Sequence, residues 1–397
     1  MTALISLVCL GGWAYVQQLR EGLLVTGMSD QVSWGIYIAN FTFLVGLAAA
    51  AVMLVIPAYV FHNKDARSVV LLAEGVAVAA CVMCMLFVTV DLGRPDRAWH
   101  MIPLLGRLNW PRSLLAWDVI VLSGYLFLNI SIPLYLLFAK YRGKEPNPRV
   151  YYPGVFISIL WAIAIHTVTA FLFSSNTARP FWNSALLGPR FLASAFTAGP
   201  AFMILAFQVI HRNTAFKVNR PVIHQLAMIT AVAMQVSLFM AGAEIFTEFY
   251  APSTHGASAQ YLFFGIDGKT ALVPWIRTAL SLQVFALIVL LVHKLRRNFF
   301  WLSLACICAI CGIWVEKGMG LVIPGFLPTP LGEVFEYRIT LIETLVCFGI
   351  WAFGLLLFTA LTKPAIAIEM GLKDRAIQPH VDGVATPVAG WPQGGNS

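Results

Sequence analysis

Ten apolar runs, each long enough to cross a bilayer, set the terms for this chain. They lie at about 2–18, 34–61, 68–90, 113–139, 154–174, 190–211, 222–249, 272–293, 299–315 and 340–362. A spanning helix needs about 20 mostly apolar residues. Strands of a membrane barrel would be about 10 residues of alternating polarity, a pattern these runs lack. In lipid the backbone satisfies its own hydrogen bonds, so the runs are read as helices. Only 11% of the 397 residues are charged, against about 25% in soluble domains. Mean hydropathy is +0.79. The runs leave no room for a soluble catalytic domain. The expected fold class is an all-α polytopic membrane protein.

The first run has no basic leader and no small-residue cleavage site, and is read as a retained helix. Residues 363–397 turn polar and rich in Gly and Pro, as in a flexible tail. The net charge of +8 does not point to nucleic acid, because the basic residues sit at alternate loops. Of the 26 Lys and Arg, 15 fall on one side, clustered at helix ends from Lys64 and Arg67 to Arg296, Arg297 and Lys363. By the positive-inside rule that side, with both termini, is expected in the cytoplasm of a cytoplasmic (inner) membrane.

Two prosthetic groups are not expected. Cys81 and Cys84 lie in the third run, and Cys306, Cys308 and Cys311 in the ninth. Iron–sulfur ligation needs particular spacings in a polar loop. Of eight histidines only His166 lies well inside a run. The chain is therefore expected to bind neither haem nor an iron–sulfur cluster, and no metal.

The intramembrane polar groups share one depth. Asp118 is five residues into the fourth run, and His166 eight residues short of the end of the fifth. Glu244 and Glu248 are one turn apart near the end of the seventh. Arg277 and Glu343 lie near the starts of the eighth and tenth. Tyr37 and Asn40 share a face at the start of the second. Asp91 and Arg94 close the third. At 1.5 Å per residue all lie within roughly 12 Å of the outer surface. Charges inside a membrane are costly unless paired or hydrated, so one polar pocket open to the outer face is expected. The inner half offers only Glu74, Gln208, Gln235, His224 and Gln283. Mutual pairing or capping accounts equally for Asp91, Arg94, Asp96 and Arg97 in DLGRPDR. A place at the wet interface also accounts for Glu248. Asp118 and His166, flanked only by apolar residues in LLAWDVIVL and AIAIHTVTA, are the leading proton-handling candidates.

The segment 316–339, which opens EKGMGLVIPGFLPTPLGEVFEYR, reads as an outer lid. It is too apolar for water and too broken by Pro324 and Pro328 to span. Glu316 or Lys317 is expected to pair inside the protein.

The stretches TGMSDQVSWGIYIANFTFLVGLAAAAVM, VTVDLGRPDR, LLAWDVIVLSGYL, WAIAIHTVTAFLF and EKGMGLVIPGFLPTPLGEVFEY resemble the NrfD/PsrC family of quinone-interacting membrane proteins, in the same order. The resemblance runs from about 18 to 365. It implies two four-helix bundles plus peripheral helices. The layout is 1–33 for the first helix and outer loop, 34–174 for the first bundle, 175–339 for the second bundle with its lid, 340–362 for the last helix and 363–397 for the tail. It implies quinone, menaquinone or ubiquinone, as the cofactor, with a pocket at Tyr37, Asn40, Asp118 and His166. Asp91, Arg94, Glu244, Glu248, Arg277, Glu316 and Lys317 would form a surrounding proton and charge network. The implied partners are an extracytoplasmic ferredoxin-like iron–sulfur subunit, a c-type cytochrome, a second membrane subunit and a cytoplasmic subunit. The implied activity is quinol/quinone oxidoreduction within a membrane complex. A secondary transporter and a non-redox anchor stay open as alternatives, although transporter sites usually lie at the midplane on broken helices.

Overall fold

The computed structural model describes residues 1–102, 105–250, 254–329 and 331–370, with backbone alone at 254 and 255. Ten helices among them are long and apolar enough to cross a membrane. We number them α1 (Thr2–Val25), α2 (Ile36–Val60), α3 (Lys64–Asp91), α4 (Leu114–Tyr141), α5 (Pro148–Ser174), α6 (Leu187–Asn213), α7 (Arg220–Tyr250), α8 (Val273–Leu291), α9 (Phe299–Phe326) and α10 (Leu341–Glu369). No strand longer than an isolated bridge at Ile266 and Lys269 occurs among the described residues.

Helices α2, α3, α4 and α5 pack in sequence, and α5 returns to α2 to close a ring. Helices α6 to α9 close a second ring in the same way. Contacts of α2 with α6 and α9, and of α5 with α6, join the two bundles. Helix α2 is therefore the centre of the molecule, with 83% of its most apolar stretch buried. Helices α1 and α10 pair with each other, and α10 lies on α3. α1 has only 17% buried and remains an apolar flank. One end of the protein carries the long connections 26–35, 92–113, 175–186 and 327–340. The other carries 61–63, 142–147, 214–219 and 292–298.

The ninth span departs from the sequence expectation. It runs to Phe326 rather than stopping near 315. A π-turn at Trp314–Met319 and a single 3₁₀ turn at Pro324–Phe326 carry it past the glycines and the first proline. Proline in the first turn of a helix is tolerated because its missing N–H would have had no partner there. Glu316 and Lys317 thus lie inside a membrane span and not in a surface lid. Their burial follows from close backbone approach. A side chain at Gly318 would meet Ala39 O at 2.9 Å, so only glycine lets α9 press against α2 there.

Residues 320–327 of the expected lid form a buried plug at the long-loop end, while 331–333 and Arg338 are exposed. Leu321, Val322, Ile323, Phe326 and Leu327 are all buried. Trp182 stacks on Trp34 at 5.5 Å and meets Phe326 edge-on at 4.9 Å, and its Nε1 donates to Leu321 O at 2.8 Å. Such ring pairs add about 0.5–1.5 kcal/mol each beyond burial. Arg179 donates to Phe326 O at 3.1 Å. The last span extends to Glu369, past the expected 362. The expected polar tail beyond 370 lies outside the described residues.

Candidate functional site

The first bundle places Asp118 and His166 on facing helices, both almost fully buried. Thr169, one turn from His166 on α5, donates from Oγ1 to Asp118 Oδ1 at 2.8 Å. No described residue donates to Oδ2. Asp118 lies on the wall of an apolar cavity of about 350 Å³ between α3, α4 and the 3₁₀ segment Pro95–Met101. Met85, Val88, Met101, Leu115 and Leu122 form much of the rest. Ligand sites of about 300–1,000 Å³ that are mostly apolar, with few polar groups, are the usual form of a small-molecule pocket. A quinone ring is compatible with this volume and donor set.

His166 is turned inward. Its Nδ1 lies 3.0 Å from Ala162 O, and a carbonyl can only accept, so Nδ1 carries the proton of that bond. Nε2 is buried with no hydrogen-bond partner among the described residues. Lys317 comes close enough for its charge to act on His166. The ammonium donates to Phe191 O at 3.4 Å and sits 4.2 Å from the Phe191 ring centroid. A Cβ at Gly46 would be 3.1 Å from Lys317 Nζ, so a glycine on α2 makes room for this side chain. Lys317 forms no ion pair with a carboxylate among the described residues.

Tyr37 and Asn40 do not join this group. Tyr37 donates to Gln18 Oε1 at 2.6 Å, and Gln18 Nε2 donates to Val90 O at 2.7 Å. Asn40 Oδ1 accepts from both Trp314 Nε1, at 3.0 Å, and Trp351 Nε1, at 2.9 Å. Its Nδ2 donates to Ile36 O. The polar atoms of both side chains are thus spent on α1, α9, α10 and the backbone of α2 itself. Periodicity placed them on one face but gave no sign of which helices that face meets.

Glu343 is fully buried at the start of α10 and accepts from Tyr337 Oη, Gly27 N and Thr340 N at 2.7–2.9 Å. Burial and the adjacent Glu343 charge push the Tyr337 phenol up. Asp91 lies within electrostatic reach of Glu343 and has one buried oxygen without a hydrogen-bond partner among the described residues. Arg94 is exposed and pairs with Asp96 at 2.8 Å, holding that carboxyl below its usual range. It is a surface pair outside the pocket.

The second bundle contains its own charge cluster. Arg190, at the start of α6, pairs with Glu244 on α7 and with Glu316 at 2.5 Å. Gln283 Nε2 on α8 donates to Glu316 Oε2 at 2.7 Å. Glu248 lines the same small cavity, about 30 Å³ in volume. Arg277 is not part of it. Its guanidinium is exposed and donates to Phe263 O at 3.0 Å, at the end of the short helix Thr254–Phe263. Arg190 went unrecognised in the sequence because it opens an apolar run and looks like an interfacial residue. The Pro189–Arg190 step at a helix start was the available signal.

The fold and these two buried clusters define a polytopic membrane protein with ionisable groups held inside two helical bundles. The chain belongs to the NrfD polysulphide reductase family, whose profile matches residues 24–327. It is 27% identical over 345 residues to a putative dimethyl sulfoxide reductase membrane subunit of Halobacterium salinarum, covering 82% of this chain and 76% of that protein. It is 25% identical over 374 residues to the Hdr-like menaquinol oxidoreductase integral membrane subunit of Archaeoglobus fulgidus, covering 91% of each. It is 23% identical to a selenate reductase subunit of Mesobacillus selenatarsenatis, covering 86% of this chain and 88% of that protein.

Proposed function

We propose that this chain is the quinone-interacting membrane subunit of a sulfur-metabolism electron-transfer complex, the DsrP subunit of a DsrMKJOP-type assembly. The observation that carries the reading is the apolar cavity of about 350 Å³ with Asp118 on its wall. The menaquinol in the name of the Archaeoglobus relative supports the choice of ligand class.

A quinone exchanges two electrons and two protons when it turns over. Asp118 Oδ2 holds or releases a proton at the cavity wall, while the Thr169 hydroxyl fixes the carboxyl through Oδ1. A positioned acid or base of this kind contributes about 10²–10⁴-fold to rate. His166 and Lys317 lie behind it as proton and charge reserves, with His166 Nε2 open to a donor or a water. The first bundle, 34–174, holds the pocket. The second, 175–339, and the residues around Glu316 flank it.

The long-loop end faces the extracytoplasmic side, where the DsrO-type ferredoxin-like iron–sulfur subunit docks and exchanges electrons with quinone. DsrJ, a c-type cytochrome, DsrM in the membrane and DsrK in the cytoplasm complete the complex. The short-loop end, rich in Lys and Arg, faces the cytoplasm together with both termini. Quinol-linked turnover by the assembled complex carrying Asp118→Asn tests the reading. Loss of turnover with intact assembly is expected, and normal turnover would remove the pocket from the mechanism. A transporter or a non-redox anchor would show no quinol-linked turnover at all.

A further inference from the structure

Glu316 and Lys317 are consecutive on the π-turn of α9, yet they serve different bundles. Glu316 turns toward α6, α7 and α8, where Arg190, Glu244, Glu248 and Gln283 face it. Lys317 turns toward α2, α5 and α6, where Gly46, His166 and Phe191 face it, with the Cys84 thiol within electrostatic reach; Cys84 is in turn within reach of Asp118. π-turns inside α-helices occur often at functional sites.

The amide facing Glu316 can bond to either protonation state of the carboxyl group. Oε1 is held by Arg190, and Oε2 accepts from Gln283 Nε2. The Gln283 side chain is fully buried, and its Oε1 has no donor among the described residues. A protonated Oε2 would donate to that oxygen after rotation of the amide, leaving Nε2 as the single unsatisfied group. An amide offers both a donor and an acceptor, so either state has the same number of hydrogen bonds. The adjoining cavity of about 30 Å³ has room for one or two waters.

Charge balance then links the two bundles. Arg190 is shared by two carboxylates, Glu244 and Glu316. Glu248 lines the same cavity as a third carboxyl group. A charged Lys317 next to Glu316 favours its ionised form, and a neutral Lys317 makes its protonation less costly. We propose that Glu316 is a proton-binding site in the second bundle whose occupancy is set by the charge on Lys317, the side chain facing the Asp118–His166 group. Glu316 takes up the proton from water in the cavity, as carboxylate plus proton giving the carboxylic acid, and returns it by the reverse step.

Infrared difference spectra of pH jumps on the whole quinone-depleted complex test this without using the occupant of the Asp118 pocket. The carbonyl stretch of a protonated carboxyl is the readout. Lys317→Met should shift the pH at which one such band disappears upward by about one unit or more, the size expected for loss of a nearby opposite charge. The double variant Lys317→Met/Glu316→Gln should lack that band. Gln283→Leu, which leaves the Arg190 pairs in place, should shift the position of the band. A band that titrates as in wild type after Lys317→Met, or survives Glu316→Gln, or keeps its position in Gln283→Leu, would overturn the proposal. So would its removal by sodium or potassium ions at fixed pH, which would make the cavity a cation site.

Discussion

Thr169 Oγ1 donates to Asp118 Oδ1 at 2.8 Å, and the same hydroxyl lies 2.8 Å from Ile165 O. A hydroxyl has one proton, so the carboxylate and the helix carbonyl compete for it. When Asp118 has it, the carboxyl is fixed on the α4–α5 seam. Thr169→Val keeps the shape and removes the bond. Quinol-linked turnover should fall by roughly 10-fold, less than for Asp118→Asn, with the complex still assembled. Steady-state turnover of purified variants checks the order.

Asn40→Leu separates structure from chemistry. It leaves the indole N–H groups of Trp314 and Trp351 without their acceptor. An unsatisfied buried donor costs about 1–3 kcal/mol. The thermal midpoint in detergent should fall, while turnover per folded complex should stay within about twofold of wild type. A stable protein with lost turnover would return Asn40 to the pocket.

Tyr337 joins the 327–340 connection to α2 and α10. Its Oη accepts from Ile36 N at 2.9 Å and donates to Glu343 Oε1 at 2.7 Å. Tyr337→Phe should cost about 1–3 kcal/mol of stability. Unfolding curves of wild type and variant, measured side by side, read this directly.

Accessibility distinguishes a plug from an open loop. Val322 is fully buried and Phe326 nearly so. Val322→Cys and Phe326→Cys should resist an impermeant thiol reagent in the detergent-purified subunit freed of its extracytoplasmic partner, while Leu331→Cys, at an exposed position, should react at once. Equal reaction at all three would show the segment to be open.

Much of the fold was legible in the chain. Nothing but helix fits ten apolar runs in lipid, and the lengths of the connections separate one end from the other. The extent of α9 was not legible. Pro324 and the glycines of GMGLVIPG look like a break when the π-turn and the packing of Gly318 on α2 are unseen. For the site, Asp118 and His166 stood out because a polar atom among apolar neighbours is costly. What they meet was hidden, since Thr169 and Lys317 come from other parts of the chain. The same applies to Glu316, whose partners Arg190, Glu244 and Gln283 lie on three helices. Tyr37 and Asn40 share a face of α2, but their bonds go to Gln18, Trp314 and Trp351, which adjacency along the chain does not reveal.

If the Asp118 cavity holds quinone, filling its volume must expel the ligand. Leu115 lies on the wall and is partly exposed at the rim, so Leu115→Trp fills the space from the edge without disturbing the core. Quinone should be extracted from the purified wild-type complex and from this variant and measured per complex. Quinone should be close to stoichiometric in wild type and largely lost in Leu115→Trp, with all partner subunits retained. Quinone content unchanged by the filled cavity would contradict a quinone site there.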